Sequence, residues 1–329
     1  MSFRKNFGVK SGDDWIIQSL WISLWSVSGP IGTAIGSLLG GWAQDRFGRR
    51  TTIGVSSVWQ AAVVTICFLA DLAPSIESRG GAYFAGKLVQ GIGVGALMAT
   101  IQTYISEILP TNLRSPILAL IAPLYLLGQF IGSLAIKGGV SLDSRDSYRI
   151  PISIQWVLSI VPFAVTIFLP ESPVWLMRKS RLEAAQAACR RIGGAHSDAL
   201  FARLKQVSVQ RGLENMANKE VSYADLFRRR VDFRRTAVTL LVYLVPEFFG
   251  RVLLGHASYI LEVIGMPAGR ATVLFIVGVV ASIITNFIAF WLITRVGRRP
   301  MIIYSMAAIT ILWGSIGIVG CFHASGIET

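Results

Sequence analysis

Eight stretches of this chain are each long and apolar enough to cross a lipid bilayer, and this limits the possible folds more than any other feature of the sequence. They run from Trp15 to Leu39, Thr51 to Leu72, Ala82 to Ile105, Pro116 to Ile136, Ile150 to Leu169, Thr236 to Ile264, Ala271 to Ile293 and Met301 to Cys321. A hydrocarbon core about 30 Å thick is spanned by roughly 20 helical residues. No water reaches the backbone there, so each segment must satisfy its own N–H and C=O groups as a helix. The expected fold class is an all-α membrane protein. With only 15% of its 329 residues charged, against about 25% in ordinary soluble domains, the chain has too few polar groups to cover a water-exposed surface.

The formal charge of +13 would suit a nucleic-acid partner if it were spread over one soluble face. Instead the basic residues gather in alternate connections: Arg46, Arg49 and Arg50; Arg114; the run from Arg178 to Arg235; and Arg295, Arg298 and Arg299. That distribution follows the positive-inside rule and predicts a cytosolic face. The bilayer, and no nucleic acid, is the expected partner. Arg4, Lys5 and Lys10 precede the first span, on what this topology makes the outer side. No short apolar core with a cleavage site follows them, so no secretory signal peptide is expected. Cys67, Cys189 and Cys321 are scattered without paired spacing, which indicates packing rather than a disulfide framework or a metal site. No His cluster or nucleophile elbow is present, and neither an enzyme nor a cofactor is expected.

The chain repeats itself. Gln44-Asp45-Arg46-Phe47-Gly48-Arg49-Arg50 and Ile293-Thr294-Arg295-Val296-Gly297-Arg298-Arg299 match at Arg, Gly, Arg and Arg, each just after a span. One copy follows the first span and the other the seventh, so the repeat unit is six spans, the pattern of two parallel transporter halves. By that symmetry one span is expected to be absent ahead of the first copy and three after the last span. The chain then holds about eight of twelve helices.

Gly41-Trp42-Ala43-Gln44-Asp45-Arg46-Phe47-Gly48-Arg49-Arg50 resembles the signature cytosolic loop of the major facilitator superfamily. Further motifs resemble the sugar porters within it. Gly86-Lys87-Leu88-Val89-Gln90-Gly91 resembles the family's fourth helix, with Lys87 where Arg is usual. Tyr104-Ile105-Ser106-Glu107 through Arg114 resembles the end of that helix and its loop. Pro170-Glu171-Ser172-Pro173-Val174-Trp175-Leu176 resembles the segment after helix six, with Val174 replacing Arg. Arg181 to Ala188 resembles the small cytosolic helical domain, ended by Gly193-Gly194 as a C-cap.

The resemblance implies a major facilitator superfamily helix bundle acting as a secondary transporter by alternating access. The expected solute is small and polar, a sugar or polyol, with protons as the candidate coupling ion and the plasma membrane as the location. It implies a polar segment over 1–14, an amino-terminal bundle over 15–169, a cytosolic connection over 170–235 and a partial carboxy-terminal bundle over 236–329. Asp45, Arg46, Arg49, Arg50, Glu107, Arg114, Glu171, Arg298 and Arg299 lie at cytosolic helix ends. They are expected to form a latch in which water-facing arginines pair with carboxylates, each exposed pair contributing up to about 1 kcal/mol.

Substrates of such carriers bind near the midplane, where polar residues are costly and therefore informative. The candidates are Gln102, Gln129, Gln155, Glu247, Arg251, His256, Ser282 and Asn286. Several amides usual in the sugar porters are replaced: Pro246-Glu247-Phe248-Phe249-Gly250 stands where Gln-Gln precedes a Gly, Val252 and Ala122 replace amides, and Ser282 replaces an Asn. A sugar needs buried polar partners. The alternatives are a charged polar solute, a transport-dead relative or a membrane sensor. Glu247 and Arg251, four residues apart on one helix face, form the candidate charge pair for a charged solute.

Overall fold

The computed structural model describes residues 6–11, 14–140, 149–194, 197–217, 230–248, 257–263 and 266–325. Two three-residue strands, β1 (Val9–Ser11) and β2 (Asp14–Ile16), precede thirteen helices among these residues. The helices are α1 (Ser19–Phe47), α2 (Arg49–Leu69), α3 (Ile76–Ile108), α4 (Thr111–Ala119), α5 (Ile121–Val140), α6 (Arg149–Phe168), α7 (Pro173–Arg178), α8 (Leu182–Gly193), α9 (Ser197–Ala217), α10 (Arg230–Phe248), α11 (Ala257–Val263), α12 (Ala268–Val296) and α13 (Arg298–Ser325). Seven segments among the described residues are long and apolar enough to span a membrane, and the chain is a multi-pass membrane protein.

Three boundaries differ from the sequence-based expectation. The first span does not begin at Trp15, because Asp14–Ile16 pairs antiparallel with Val9–Ser11 in the register Val9 to Ile16, and the helix starts only at Ser19. It then continues past Leu39 to Phe47, so the expected cytosolic loop motif is itself helical up to Gly48. The expected sixth span, Thr236 to Ile264, appears as α10 and α11 with residues 249–256 outside the described set. α10 begins in the charged stretch Arg230 to Arg235, so it does not qualify as a span by composition. The fourth span runs from Pro116 to Gly139, as expected, with a one-residue break in helical hydrogen bonding at Leu120, whose backbone stays in the right-handed helical region. Pro123 supplies no N–H to the carbonyl of residue 119 and its ring crowds that carbonyl, which is reason enough for the break.

The chain divides into two units, residues 1–121 with 128–217 and residues 122–127 with 218–329. In the first, α1 lies along α3, and α2 packs on both α3 and α6. Glycine makes the α1–α3 approach possible. A Cβ at Gly32, Gly36 or Gly40 would overlap backbone atoms of Leu88, Ile92 or Ala96, and one at Gly95 would overlap the Thr33 carbonyl. Gly29, at the outer end of this stripe, faces open space, as do Gly128 and Gly132 of α5. Close backbone approach suits lipid, where helices gain from van der Waals contact rather than from excluding water. Large apolar side chains such as Leu38 and Val55 remain exposed, as they must when the surrounding solvent is hydrocarbon.

At the outer end of this unit Phe7, Val64, Cys67, Ala70 and Ile152 form a buried cluster, bordered by Trp25, Tyr83 and Trp156. Trp25 Nε1 donates to the Gly80 carbonyl at 3.0 Å, satisfying the polar edge of an interfacial aromatic ring. On the other side α7, α8 and α9 pack through Trp175, Leu176, Met177, Ala185 and Ala188 against Phe201 and Leu204. α8 ends at Gly194, φ +49°, as the Gly-Gly pair predicts. In the second unit α12 packs against α11 and α13.

Cys189 lies wholly inside the α7–α9 cluster, and burial pushes its thiol up from its ordinary value. The buried thiol therefore holds its proton where the unfolded one has lost it. The contribution to stability is fully present below the unfolded value and is lost as pH rises from there through the folded one. We expect Cys189 to resist thiol-alkylating reagents at neutral pH in the folded protein and to react at the normal rate in denaturant. Rapid labelling of the folded form, read by mass spectrometry, would contradict this packing.

Candidate functional site: a charged node at the cytosolic helix ends

The two copies of the repeated motif have the same backbone. α1 and α12 each end one residue before a glycine with positive φ, Gly48 at +100° and Gly297 at +81°, and α2 and α13 each begin at the next residue. A residue with a Cβ is strained in that region, so Gly is needed at both turns. This matched geometry establishes the repeat as structural.

Around the first copy, five helix ends meet. Arg49, expected to face water, is instead 1% exposed. Its Nη2 donates to Glu107 Oε1 at 2.9 Å and Asp45 Oδ1 at 3.0 Å, and its Nη1 donates to the Gln44 carbonyl at 2.9 Å. Ser172 Oγ donates to the other oxygen of Glu107 at 2.6 Å. A buried guanidinium is tolerable only with such partners.

Arg50, its neighbour, does a different job. Its Nε and Nη2 donate to the carbonyls of Thr166 and Ile167 at 2.8 and 3.0 Å, and Arg191 Nη2 donates to the Phe168 carbonyl at 3.0 Å. These are last-turn carbonyls of α6, which have no partner within the helix and lie at the negative end of its dipole. Glu171 supplies the complement. Its Oε1 accepts from the backbone N–H groups of Arg49, Arg50 and Ser172 at 2.9, 3.1 and 3.0 Å. A carboxylate is thus placed on the unpaired N–H groups that open α2, where the dipole is positive. Its Oε2 occupies the space a side chain at Gly48 would need, so that turn requires Gly twice over.

Three further residues complete the node. Ser172 caps α7, accepting from Trp175 N at 3.3 Å ahead of Pro173 at the first helical position, an N-terminal arrangement that Ser-Pro signals in sequence. Trp175 Nε1 donates to the Asp45 carbonyl at 3.0 Å, and Tyr104 Oη to the Pro170 carbonyl at 2.7 Å. These contacts cross more than 60 residues of sequence, and nothing in sequence spacing marks them.

Of the expected latch residues, Asp45, Arg49, Arg50, Glu107 and Glu171 come together here. Arg46 stacks over Trp42 and Phe47 at 5.5 and 5.8 Å. Arg114 is half-buried, with its Nε lacking a partner among the described residues. Arg299 is exposed at the start of α13, and the Arg298 side chain lies outside the described residues. Asp45 also faces Arg178 at 4.0 Å, a pair in which both side chains are more than half exposed.

A second polar cluster lies within the membrane span of the first unit. Gln60 Nε2 donates to the Gln90 carbonyl at 3.1 Å, and Gln90 Nε2 donates to Gln155 Oε1 at 2.7 Å. Lys87 Nζ approaches Gln90 Oε1 at 3.4 Å and the face of Tyr83 at 5.7 Å. Beside them Ser57, Gln60, Gln90, Gln155 and Ser159 line a cavity of about 170 Å³. Gln155 was an expected substrate residue; Gln90 was not, and only its position opposite α6 marks it. Gln102 is exposed on α3 and Gln129 half-buried on α5, neither with a hydrogen bond among the described residues. In the second unit Ser282 donates to the Gly278 carbonyl at 2.9 Å, and Asn286 Nδ2 donates to the Ser282 carbonyl at 3.3 Å. Glu247 falls in the last turn of α10 with its side chain outside the described residues, and Arg251 and His256 lie outside them entirely.

The sequence model of a family described as "Sugar (and other) transporter" matches residues 1–327. The chain is 26% identical over 334 residues to the alpha-glucosides permease MPH3 of Saccharomyces cerevisiae, covering 98% of this chain and 54% of the permease. It is 26% identical over 302 residues to the proton myo-inositol cotransporter of Homo sapiens, covering 90% of this chain and 45% of the cotransporter. The chain thus spans about half the length of the curated relatives it matches. Among solved structures, the partially occluded inward-open xylose transporter XylE from E. coli superposes with a TM-score of 0.72 at 19% identity, over 91% of this chain and 68% of that one. The likeness at that identity concerns the fold.

Proposed function

Since the chain belongs to the sugar (and other) transporter family of the major facilitator superfamily, we propose that it serves secondary transport of a sugar or polyol across the plasma membrane, coupled to protons, by alternating access. The observation that carries this reading is the family match over residues 1–327. Relatives named as an alpha-glucosides permease and a proton myo-inositol cotransporter support the solute class and the coupling ion. In this reading residues 15–169 build the amino-terminal bundle, 170–235 the cytosolic connection and 236–329 part of the second bundle. In the same reading Gln102, Gln129, Gln155, Glu247, Arg251, His256, Ser282 and Asn286 are the solute-binding residues. The Gln60–Gln90–Gln155 cluster retains amide groups suited to hydroxyls.

The node divides into a brace and a switch. Removing one partner of a buried ion pair costs about 3–5 kcal/mol, so Arg49–Glu107 stays closed and moves the ends of α1, α2, α3 and α7 as one body. The exposed Asp45–Arg178 contact, at up to about 1 kcal/mol, is weak enough to form and break in each cycle, together with Arg46, Arg114, Arg298 and Arg299.

The test is expression of the complete gene product in a host deleted for its own sugar carriers. Saturable uptake of a labelled sugar or polyol, competed by the unlabelled solute, is expected. Ligand binding without uptake would instead make the protein a sensor. A second reading, carriage of an acidic solute, is favoured by Lys87, whose ammonium lies within a span without a carboxylate partner among the described residues. Uptake of a sugar acid but not of the parent sugar, abolished in Lys87→Gln, would decide for it.

A further inference from the structure

A groove of about 830 Å³ opens between α2 and α6 in the first unit. We propose that it is a binding site for one anionic phospholipid of the cytosolic leaflet.

Its walls and its mouth differ in chemistry. α2 contributes Thr51, Gly54, Val55, Val58 and Ala62, and α6 contributes Phe163 and Ile167. Thr51, Val55, Val58 and Ala62 follow one another at four- and three-residue steps, with Gly54 beside them, so they form a single face. From Thr51 to Ala62 that face rises roughly 16 Å at 1.5 Å per residue, the depth of one leaflet of a hydrocarbon core about 30 Å thick. A polar solute would meet almost no partner along it, whereas an acyl chain would lie against Val55, Val58 and Ile167, all of them apolar.

The cytosolic mouth carries Arg50 and Arg181. Arg50 uses Nε and Nη2 on α6 carbonyls, while Arg181 is exposed and has no ion-pair partner among the described residues. Arg191 adds a third cation where it bonds Phe168. The single carboxylate in the lining, Glu171, is turned away: one oxygen accepts three backbone N–H groups and the other lies against Gly48. The mouth is therefore net positive, at the depth of a phosphate headgroup, on the face that meets the anionic leaflet. Lipid seated there would hold α2 against α6 and touch the same Arg50 and Glu171 that belong to the charged node.

Native mass spectrometry of the delipidated full chain, titrated with phosphatidylserine or phosphatidylcholine bearing the same acyl chains, tests the proposal. Wild type is expected to bind one phosphatidylserine more tightly than phosphatidylcholine. Arg181→Gln should cut that preference roughly fivefold, since one basic residue near an anionic lipid surface contributes about that factor. Ala62→Trp, which fills the inner end, should weaken both lipids and leave their ratio unchanged. Equal affinity for the two lipids in wild type, or a preference that survives Arg181→Gln, overturns the proposal. So does competition by soluble glycerophosphoserine as effective as that of the lipid, or a second copy of the chain occupying the groove.

Discussion

Gly36→Val should lower the yield of folded protein well below that of the wild type. A Cβ at this position would overlap the Ile92 carbonyl, Cα and carbonyl carbon at once, all of them backbone of α3. No rotamer change relieves such a clash, so α1 and α3 must separate along a contact that runs from Gly32 to Gly40. Overpacking a close interface costs about 1–3 kcal/mol, and the upper end applies because backbone rather than side chain must move. Gly41, five residues on, has nothing within 4 Å of the same added atom. Gly41→Ala should be neutral, or stabilising by up to about 1 kcal/mol through helix propensity. The comparison is read by the monodisperse fraction after detergent extraction. Equal yields for the two variants would refute the close approach of α1 and α3.

Arg49→Ala should destabilise the first unit by about 3 kcal/mol, lowering its apparent Tm by several degrees. The loss is larger than a surface salt bridge would give because Arg49 is buried and the Glu107 side chain is only 11% exposed; removing the arginine leaves a carboxylate with the Ser172 hydroxyl as its remaining partner. Leaving a charge unpaired in a buried site is what makes such truncations costly. The double variant Arg49→Ala with Glu107→Ala should therefore recover part of the loss, and Arg49→Lys should fall between, keeping the charge but not the forked donors. If Arg49→Ala melts with the wild type, the node contributes nothing to stability. Arg50→Ala should cost less, about 1 kcal/mol, since it removes hydrogen bonds to neutral carbonyls and leaves no buried charge unpaired.

The contrast between these adjacent arginines shows where the sequence stops being informative. Span positions follow from a local physical requirement, enough apolar residues to cross hydrocarbon, so α2, α6, α12 and α13 are legible to within a few residues, while α3 begins six residues ahead of the expected Ala82. Gly48, Gly297 and Gly194 are legible for a similar reason: a positive φ demands Gly, and the repeated motif marks two of the three. Arg49 and Arg50 are chemically identical, and their separate fates are set by what lies across the helix ends. Glu107 is 58 residues away from Arg49, and the α6 carbonyls more than 100 from Arg50. Glu171 was expected to pair with arginine side chains, and it binds their backbone N–H groups instead. The β1–β2 hairpin escaped notice because Trp15 and Ile16 read as the apolar start of a span. Within the spans, Gln155 stands out as a candidate because an amide there is costly, whereas its hydrogen-bond partner Gln90 lies within a motif whose glycines explain it fully.

The most direct measurement of the account is solute-dependent accessibility at the cytosolic end of α3, in the complete gene product with Ser106→Cys as the reporter. Cys67 and Cys189 are buried and add little background labelling, and Cys321 and any other cysteine are replaced by Ser. A carrier whose braced helix ends move as one body during alternating access predicts that saturating transported solute changes the alkylation rate at position 106 several-fold. It also predicts that Arg49→Ala makes that rate high and insensitive to solute. An alkylation rate that is the same with and without bound solute, in protein that folds and inserts normally, would contradict it.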